Sequence, residues 1–75
     1  MIKKAKKEFE RYKEVACPAL NIRSQPSTYA LIVKVLPNAT IVECDKNFEN
    51  DVWEHIIADP NVEGYCMKQY IDARM

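Results

Sequence analysis

Few side chains in this sequence could carry out chemistry, because it holds only three cysteines and one histidine. Cys17, Cys44 and Cys66 are separated by long intervals, and no Cys-x-x-Cys pair is present. Structural zinc sites and redox dithiols commonly use such close spacing, so we expect neither. Two interpretations of the odd count stay open. The one we favour has three reduced thiols that serve as small hydrophobic residues, and the other has one disulfide with a leftover thiol.

His55 is the single histidine, and beside a cysteine it could form a nucleophile–base pair. Catalysis would also require a group that orients the base and a donor for the oxyanion, and the sequence shows no candidate for either. Paired carboxylates could serve in acid–base catalysis, and the candidates are Glu43, Glu49, Asp51 and Glu54. We interpret these four as a solvated acidic face. The sequence therefore predicts a protein that is not an enzyme and holds no metal and no cofactor.

Side chains suited to molecular recognition are better represented. Trp, Tyr and Arg dominate binding sites, and the candidates here are Arg23, Tyr29, Trp53, Tyr65 and Tyr70. Arg23 begins a polar run, residues 23–28, which is either a plain connector between two apolar segments or a binding loop. Trp53 either contacts a ligand or closes one end of the fold. For Tyr70 a structural role is favoured.

Length and charge limit the classes of protein that remain. With 75 residues the chain forms at most one domain, and so small a core leaves little scaffold for a large catalytic cleft. Residues 1–14 carry six basic and three acidic side chains, whereas the remainder carries five basic and eight acidic ones. Because the body lacks a basic face, no nucleic-acid partner is expected.

The sequence also bears on location. No segment approaches the ~20 consecutive apolar residues that a membrane span needs. The basic start of the chain is not followed by the apolar h-region of a signal peptide. The sequence as written predicts a cytoplasmic protein, or a cell-wall-associated one if it is a piece of a larger wall-lytic protein.

Short apolar segments separated by turn signals predict five or six strands. The segments are residues 15–19, 20–22, 31–36, 40–44, 52–58 and 64–67. One 3₁₀ turn is expected over residues 68–70. Residues 1–11 form a basic extension, either a short helix or a disordered tail, and residues 12–75 form the domain. The pattern predicts an all-β fold, a small barrel or sandwich, and we favour a barrel because closure removes exposed sheet edges.

Four blocks of the sequence, ALNIRSQPST, VLPNATIVEC, VWEHI and GYCMKQYI, resemble the bacterial SH3 domain family in order and spacing. They cover about residues 13–72. The resemblance implies an SH3-like antiparallel barrel in which residues 23–28 form the long RT loop and Gly64 makes a tight turn into the last strand. The implied core consists of Leu20, Ile22, Val33, Leu36, Val42, Cys44, Ile56 and Cys66.

Three features depart from the family pattern. Gln25 and Ala39 stand where the family usually has glycine, so both turns must form without a residue that adopts positive φ freely. Cys44 and Cys66 replace the usual valine, which changes the core little but makes it oxidisable. Residues 45–51 make a longer and more acidic connection than a tight hairpin requires.

The resemblance implies a non-catalytic binding module. Family members often target peptidoglycan for cell-wall hydrolases, so the predicted ligand is a cell-wall peptide or glycan, bound by a piece of a phage or bacterial wall-lytic protein. The alternative is an intracellular protein–protein interaction module of a bacterial or mobile-element protein. A structural subdomain without a ligand is a third hypothesis.

SH3 barrels bind extended ligands in a shallow groove beside the long loop. If Ile56 faces the core, strand alternation places Glu54 on the same side and Trp53 and His55 on the opposite face. A proline-rich PxxP ligand is not expected, because the loop has no acidic residue and residues 67–70 lack the proline of the groove. The predicted ligand-binding residues are Arg23, Ser24, Gln25, Trp53, Tyr65 and Tyr70.

Overall fold

The computed structural model describes residues 11–58 and 60–73. Most of the predicted basic extension, residues 1–10, lies outside this part of the chain. The described residues form seven strands and one 3₁₀ turn, which confirms the all-β prediction. The elements are β1 (Tyr12–Val15), β2 (Ala19–Arg23), β3 (Ile32–Pro37), β4 (Ile41–Cys44), β5 (Trp53–Ala58), β6 (Val62–Met67), the 3₁₀ turn (Lys68–Tyr70) and β7 (Ile71–Ala73).

All seven strands belong to one antiparallel sheet in the order β3-β2-β6-β5-β4-β1-β7, which curls around a single core. The longest pairing joins β5 to β6, from Trp53 opposite Met67 to Ala58 opposite Val62. A bend at Cys17 and Pro18 divides the first predicted strand, so β1 ends at Val15 and β2 begins at Ala19. The strand β7, which the sequence did not predict, pairs with β1.

The core follows the predicted alternation in most strands. Leu20 and Ile22 of β2 point inward, while Asn21 between them is exposed. In β5, Ile56 is fully buried and Ile57 is exposed. Burying such side chains stabilises the fold by about 1.5–3 kcal/mol each. The complete set of buried hydrophobic residues is Val15, Leu20, Ile22, Leu36, Val42, Cys44, Ile56, Ala58, Cys66 and Ile71.

The prediction that Val33 belongs to the core is wrong, because its side chain is 49% exposed. The register of β2 and β3 passes from Ile22 opposite Lys34 to Arg23 opposite Ile32, which leaves Val33 without a partner. One extra residue of this kind is a β-bulge. Val33 also lies three positions before the buried Leu36, so strand alternation places it on the opposite face. Leu36 is the only residue of β3 that is buried.

The turn predicted at Gly64 is also wrong. Gly64 lies inside β6, opposite Ile56, and its φ is not positive. A Cβ atom at this position would lie 2.5 Å from the carbonyl oxygen of Arg23 and 2.7 Å from Cγ2 of Ile22. Glycine is therefore required here because strand β2 crosses β6 too closely for any side chain.

Ala39 makes the turn between β3 and β4 in place of a glycine. It is the one non-glycine residue of the described chain with positive φ, at 71°. Side chains hold the turn around it: Asn38 Nδ2 donates to the carbonyl oxygens of Val15 and Cys17, and Thr40 Oγ1 donates to Pro37 O at 2.8 Å. These contacts compensate for an unfavourable backbone conformation.

Candidate functional site

Residues 23–28 form a loop that Arg23 itself holds in place. Its guanidinium Nη1 donates to the carbonyl oxygens of Thr28 and Ala30, both at 2.9 Å. Tyr29 N–H, just after the loop, donates to Ser27 Oγ at 3.1 Å. Near the start of the loop, Ser24 N–H donates to Leu31 O at 2.8 Å. The polar run is therefore an ordered structure on the edge of the sheet, with a conformation fixed by its own first residue.

A groove of about 390 Å³ lies beside this loop. Arg23 and Thr28 form its loop side, and Trp53 and Tyr70 contribute aromatic surface. Trp53 is half-buried and faces away from the core, as strand alternation predicted, while Tyr70 is 39% exposed. The full lining is Cys17, Ala19, Leu20, Asn21, Arg23, Thr28, Trp53, Met67 and Tyr70.

The structure brings together three of the six predicted ligand-binding residues, namely Arg23, Trp53 and Tyr70. Ser24 and Gln25 belong to the adjoining loop but do not line the groove. Tyr65 lies opposite Arg23 in β6 and contacts other aromatic rings instead. Sequence reasoning did not assign Cys17, Asn21 or Met67 to the site.

The position of Met67 follows from strand pairing and not from a signal in the sequence. Met67 pairs with Trp53 across β5 and β6, so the two side chains share the outer face of the sheet. Cys17 reaches the groove because the bend after β1 carries it there, and its Sγ lies 3.4 Å from Ala19 O. Such a bend has no periodic signature in a sequence.

A second cluster on the same sheet face surrounds His55. Its Nδ1 lies 2.9 Å from Asp45 Oδ2, and its Nε2 lies 3.0 Å from Glu63 Oε2. Carboxylates only accept hydrogen bonds, so both contacts are hydrogen bonds at once only when both ring nitrogens carry a proton. Phe48 and Tyr65 pack against the cluster, with ring centroids 5.2 Å apart.

The contact with His55 has a consequence for Asp45. The hydrogen bond from His55, followed by the one that Asn47 N–H donates, lowers the pKa of the Asp45 carboxyl group from its ordinary value. Asp45 directly follows strand β4, and Glu63 lies in β6. His55 therefore ties together two segments that flank β5, which is a structural role.

All three cysteines are free thiols in the structure, in line with the favoured interpretation. Cys44 and Cys66 are buried, as predicted. Burial raises the pKa of Cys44 to about 11 and that of Cys66 to about 12. At neutral pH both are protonated, and a protonated thiol is a weak nucleophile.

The interpretation of Glu54 as part of a solvated acidic face is wrong. Glu54 is only 9% exposed, and its Oε2 lies 3.2 Å from Nζ of Lys13 in β1. A buried carboxylate needs such a partner because desolvation of a charge is costly. Strand alternation had placed Glu54 on the inner side together with Ile56, and the structure follows that pattern.

A hollow of about 500 Å³ lies on the Glu54 side of the fold. Side chains of both charge signs line it, including Lys13, Lys68, Glu49 and Asp51, and it contains neither Trp nor Tyr. Mixed charges of this kind neutralise one another and define no single ligand class. The groove beside Trp53 is therefore the better candidate site.

The described residues contain no group of three or more His, Cys, Asp or Glu side chains that could hold a metal ion. Within the same part of the chain, no helix is long and apolar enough to cross a membrane. Comparison with protein-family models gives no match for this chain. Comparison with curated proteins likewise gives no match. The groove and the resemblance of the four sequence blocks are therefore the features that bear on function.

Proposed function

We propose that this protein is a non-catalytic binding module that holds an extended ligand in the groove between the 23–28 loop and Trp53. The observation that carries the proposal is the convergence of Arg23, Trp53 and Tyr70 on one groove of about 390 Å³. Trp, Tyr and Arg are the residue types that contribute most to recognition. A shallow groove beside the long loop is also where the resembling SH3 family binds its ligands.

The geometry of the loop supports tight recognition. The two hydrogen bonds from Arg23 Nη1 fix the loop before any ligand arrives. A preformed groove avoids the entropic cost of ordering a loop during binding. Asn21 and Thr28 add polar groups to a wall that is otherwise apolar, as is usual where orientation must be specified.

A cell-wall peptide or glycan is the ligand class that we propose, as in a module of a phage or bacterial wall-lytic protein. The aromatic surfaces of Trp53 and Tyr70 suit the apolar faces of sugars and short peptide side chains. The same groove argues against a proline-rich ligand, because its lining contains no acidic residue that could pair with a basic ligand residue. The main support for this ligand class is the resemblance to bacterial SH3 domains.

The chemistry of the two buried cysteines and of His55 supports a non-catalytic role. Cys44 and Cys66 are buried and have raised pKa values. His55 is held between two carboxylates on neighbouring segments. Neither arrangement presents an activated nucleophile with a base at an open surface.

The test is retention of the purified chain on isolated bacterial cell walls. Tyr70→Ala removes an aromatic ring from the groove, and Tyr29→Ala is its matched control because Tyr29 is 98% exposed and lies outside the groove. We expect Tyr70→Ala to weaken retention by about tenfold, a usual effect for a recognition residue, and Tyr29→Ala to leave it unchanged. Thermal unfolding of both variants checks that the fold is intact.

Two outcomes count against the proposal. If the wild-type chain is not retained on cell walls, the ligand class is wrong, and capture of a specific protein that depends on Tyr70 would favour the intracellular interaction module. If retention is strong but insensitive to both Tyr70→Ala and Trp53→Ala, the groove is not the binding site.

A further inference from the structure

Strand β3 presents an apolar edge that no described residue covers. It ends the sheet, with β2 on one side and no strand of the described chain on the other. Its side chains are exposed along almost the whole strand: Ile32 and Val33 at 49% and Val35 at 48%. Unpaired backbone groups on an apolar edge strand are a template for another strand.

The backbone phase of β3 decides which groups point outward. In an antiparallel ladder, hydrogen-bonded pairs alternate with pairs whose N–H and C=O groups point away from the partner strand. Asn38 N–H donates to Pro18 O just beyond the strands. Hydrogen-bonded pairs recur at every second residue of a strand. Leu36, two residues before Asn38, therefore forms a hydrogen-bonded pair with Leu20 opposite it. Val35 lies between these positions, so its N–H and C=O point away from β2.

We propose that β3 pairs antiparallel with β3 of a second copy of this chain, with the two-fold axis at Val35. Each Val35 then donates its N–H to the carbonyl oxygen of Val35 in the other copy. The pairing makes one continuous sheet from two domains. It gives an isologous interface, in which the same patch is used twice.

Charge favours this register. Lys34 is the one charged residue of β3. A two-fold axis at Val35 places Lys34 opposite Leu36 of the second copy, and Val33 opposite its Pro37. A two-fold axis at Lys34 would place two lysines directly opposite each other, which is unfavourable.

The other edge of the described sheet is a poorer partner. Strand β7 has three residues, whereas β3 has six. Asp72 in the middle of β7 is exposed, and Ile71 is buried. Pairing of β3 with β7 of another copy would give fewer hydrogen bonds and an open, head-to-tail assembly. A closed β3–β3 dimer is therefore the arrangement that this chain supports.

The dimer has a consequence for the groove. Strand β3 pairs with β2, which carries Asn21 and Arg23 of the groove lining. The free edge of β3 lies on the side of β3 that faces away from β2. Pairing along this edge therefore leaves the groove open. Two grooves would then lie in one continuous sheet, which increases avidity for a repetitive ligand.

The decisive variant is Val35→Lys. It adds a like-charged pair at the two-fold axis while replacing a side chain that is already 48% exposed. Its matched control is Ile57→Lys, because Ile57 is 46% exposed but lies in β5, which is flanked by β4 and β6. Sedimentation equilibrium over a range up to about 1 mM measures the association of each chain, where even weak dimers are populated. Thermal unfolding of both variants confirms that they are folded.

We expect the wild type and Ile57→Lys to show the same concentration-dependent dimer, and Val35→Lys to associate at least about tenfold more weakly. Hydrogen exchange gives a second measurement. Protection of the Val35 amide should rise with concentration, while that of the Leu36 amide, which is bonded to β2, should stay constant. A wild type that is monomeric throughout, a dimer insensitive to Val35→Lys, or a Val35 amide unchanged by concentration would overturn the proposal.

Discussion

The Cβ position of Gly64 lies 2.5 Å from the carbonyl oxygen of Arg23, a distance that no real Cβ contact adopts. Strand β6 therefore crosses β2 at the residue whose guanidinium holds the 23–28 loop. The backbone on one side and the buried side chain of Ile22 on the other leave no space for even a methyl group. The crossing thus couples the packing of the core to the position of one groove wall.

Gly64→Ala is expected to destabilise the fold by about 3 kcal/mol, because the added methyl group meets backbone and a buried side chain rather than a flexible one. Thermal or urea unfolding measures the change. The folded fraction of the variant should also show altered chemical shifts for residues 23–28, since Arg23 must move. Stability within about 0.5 kcal/mol of wild type, the usual range for surface changes, would show that the crossing relaxes easily.

Ala39→Gly is expected to stabilise the protein by about 0.5–1 kcal/mol. The physical reason is the φ of 71° at Ala39, which costs an L-residue with a Cβ roughly 1–2 kcal/mol. Part of that gain is offset because glycine adds conformational freedom to the unfolded chain. The free energy of unfolding in urea is the quantity to measure.

Ala16→Gly is the matched control for this prediction. Ala16 is exposed and lacks positive φ. The same substitution should destabilise it by several tenths of a kcal/mol through the unfolded state alone. If both variants lose stability equally, the strained turn at Ala39 contributes nothing.

Much of the fold was predictable because it depends on local alternation. Leu20 and Ile22, like Val42 and Cys44, occupy alternate positions of unbroken strands, so their inward direction follows from the strand period of two. The outward face of Trp53 follows from Ile56 in the same way. The 3₁₀ turn over Lys68–Tyr70 was also predicted from the sequence.

The features that the sequence did not predict depend on contacts between distant segments. Val33 and Leu36 are three positions apart, so only one of them can face the core, and the pairing of Leu36 with Leu20 decides which. Gly64 is required by the path of β2, about forty residues earlier in the chain. The groove likewise gains Met67 and Cys17 only after the strands are paired. The register of the strands and the way they cross therefore determine these three features, which local periodicity does not predict.

Lys13→Met is expected to destabilise the protein by about 1–3 kcal/mol. The substitution leaves the carboxylate of Glu54 buried without its partner at 3.2 Å, and an unpaired buried charge costs more than the lost attraction. The partial exposure of Lys13 keeps the effect below that of a fully buried pair. The double variant Lys13→Met, Glu54→Leu should recover most of the loss, because no charge then remains in the core. A double variant that is less stable than Lys13→Met would mean that the carboxylate contributes through other contacts.

The pKa of Asp45 predicts how stability depends on pH. The pKa is lowered in the folded state below its ordinary value of 3.8, first by the hydrogen bond from His55 and then by that from Asn47 N–H. A group whose pKa is lower in the folded state contributes stability above its unfolded pKa. That contribution is lost as pH falls through the folded value. Asp45 should therefore stabilise the fold at neutral pH and cease to do so in strong acid.

Asp45→Asn tests this prediction, with Asp51→Asn as the control at an exposed aspartate in the same connection. Urea unfolding from pH 7 down to about pH 2, which brackets the ordinary carboxyl range, should show Asp45→Asn less stable than wild type at neutral pH. The two curves should converge as pH falls below 3.8, because wild-type Asp45 then becomes neutral as well. Asp51→Asn should follow the wild type throughout. Parallel curves for Asp45→Asn and wild type across the whole range would show that the contact between Asp45 and His55 does not depend on the carboxylate charge.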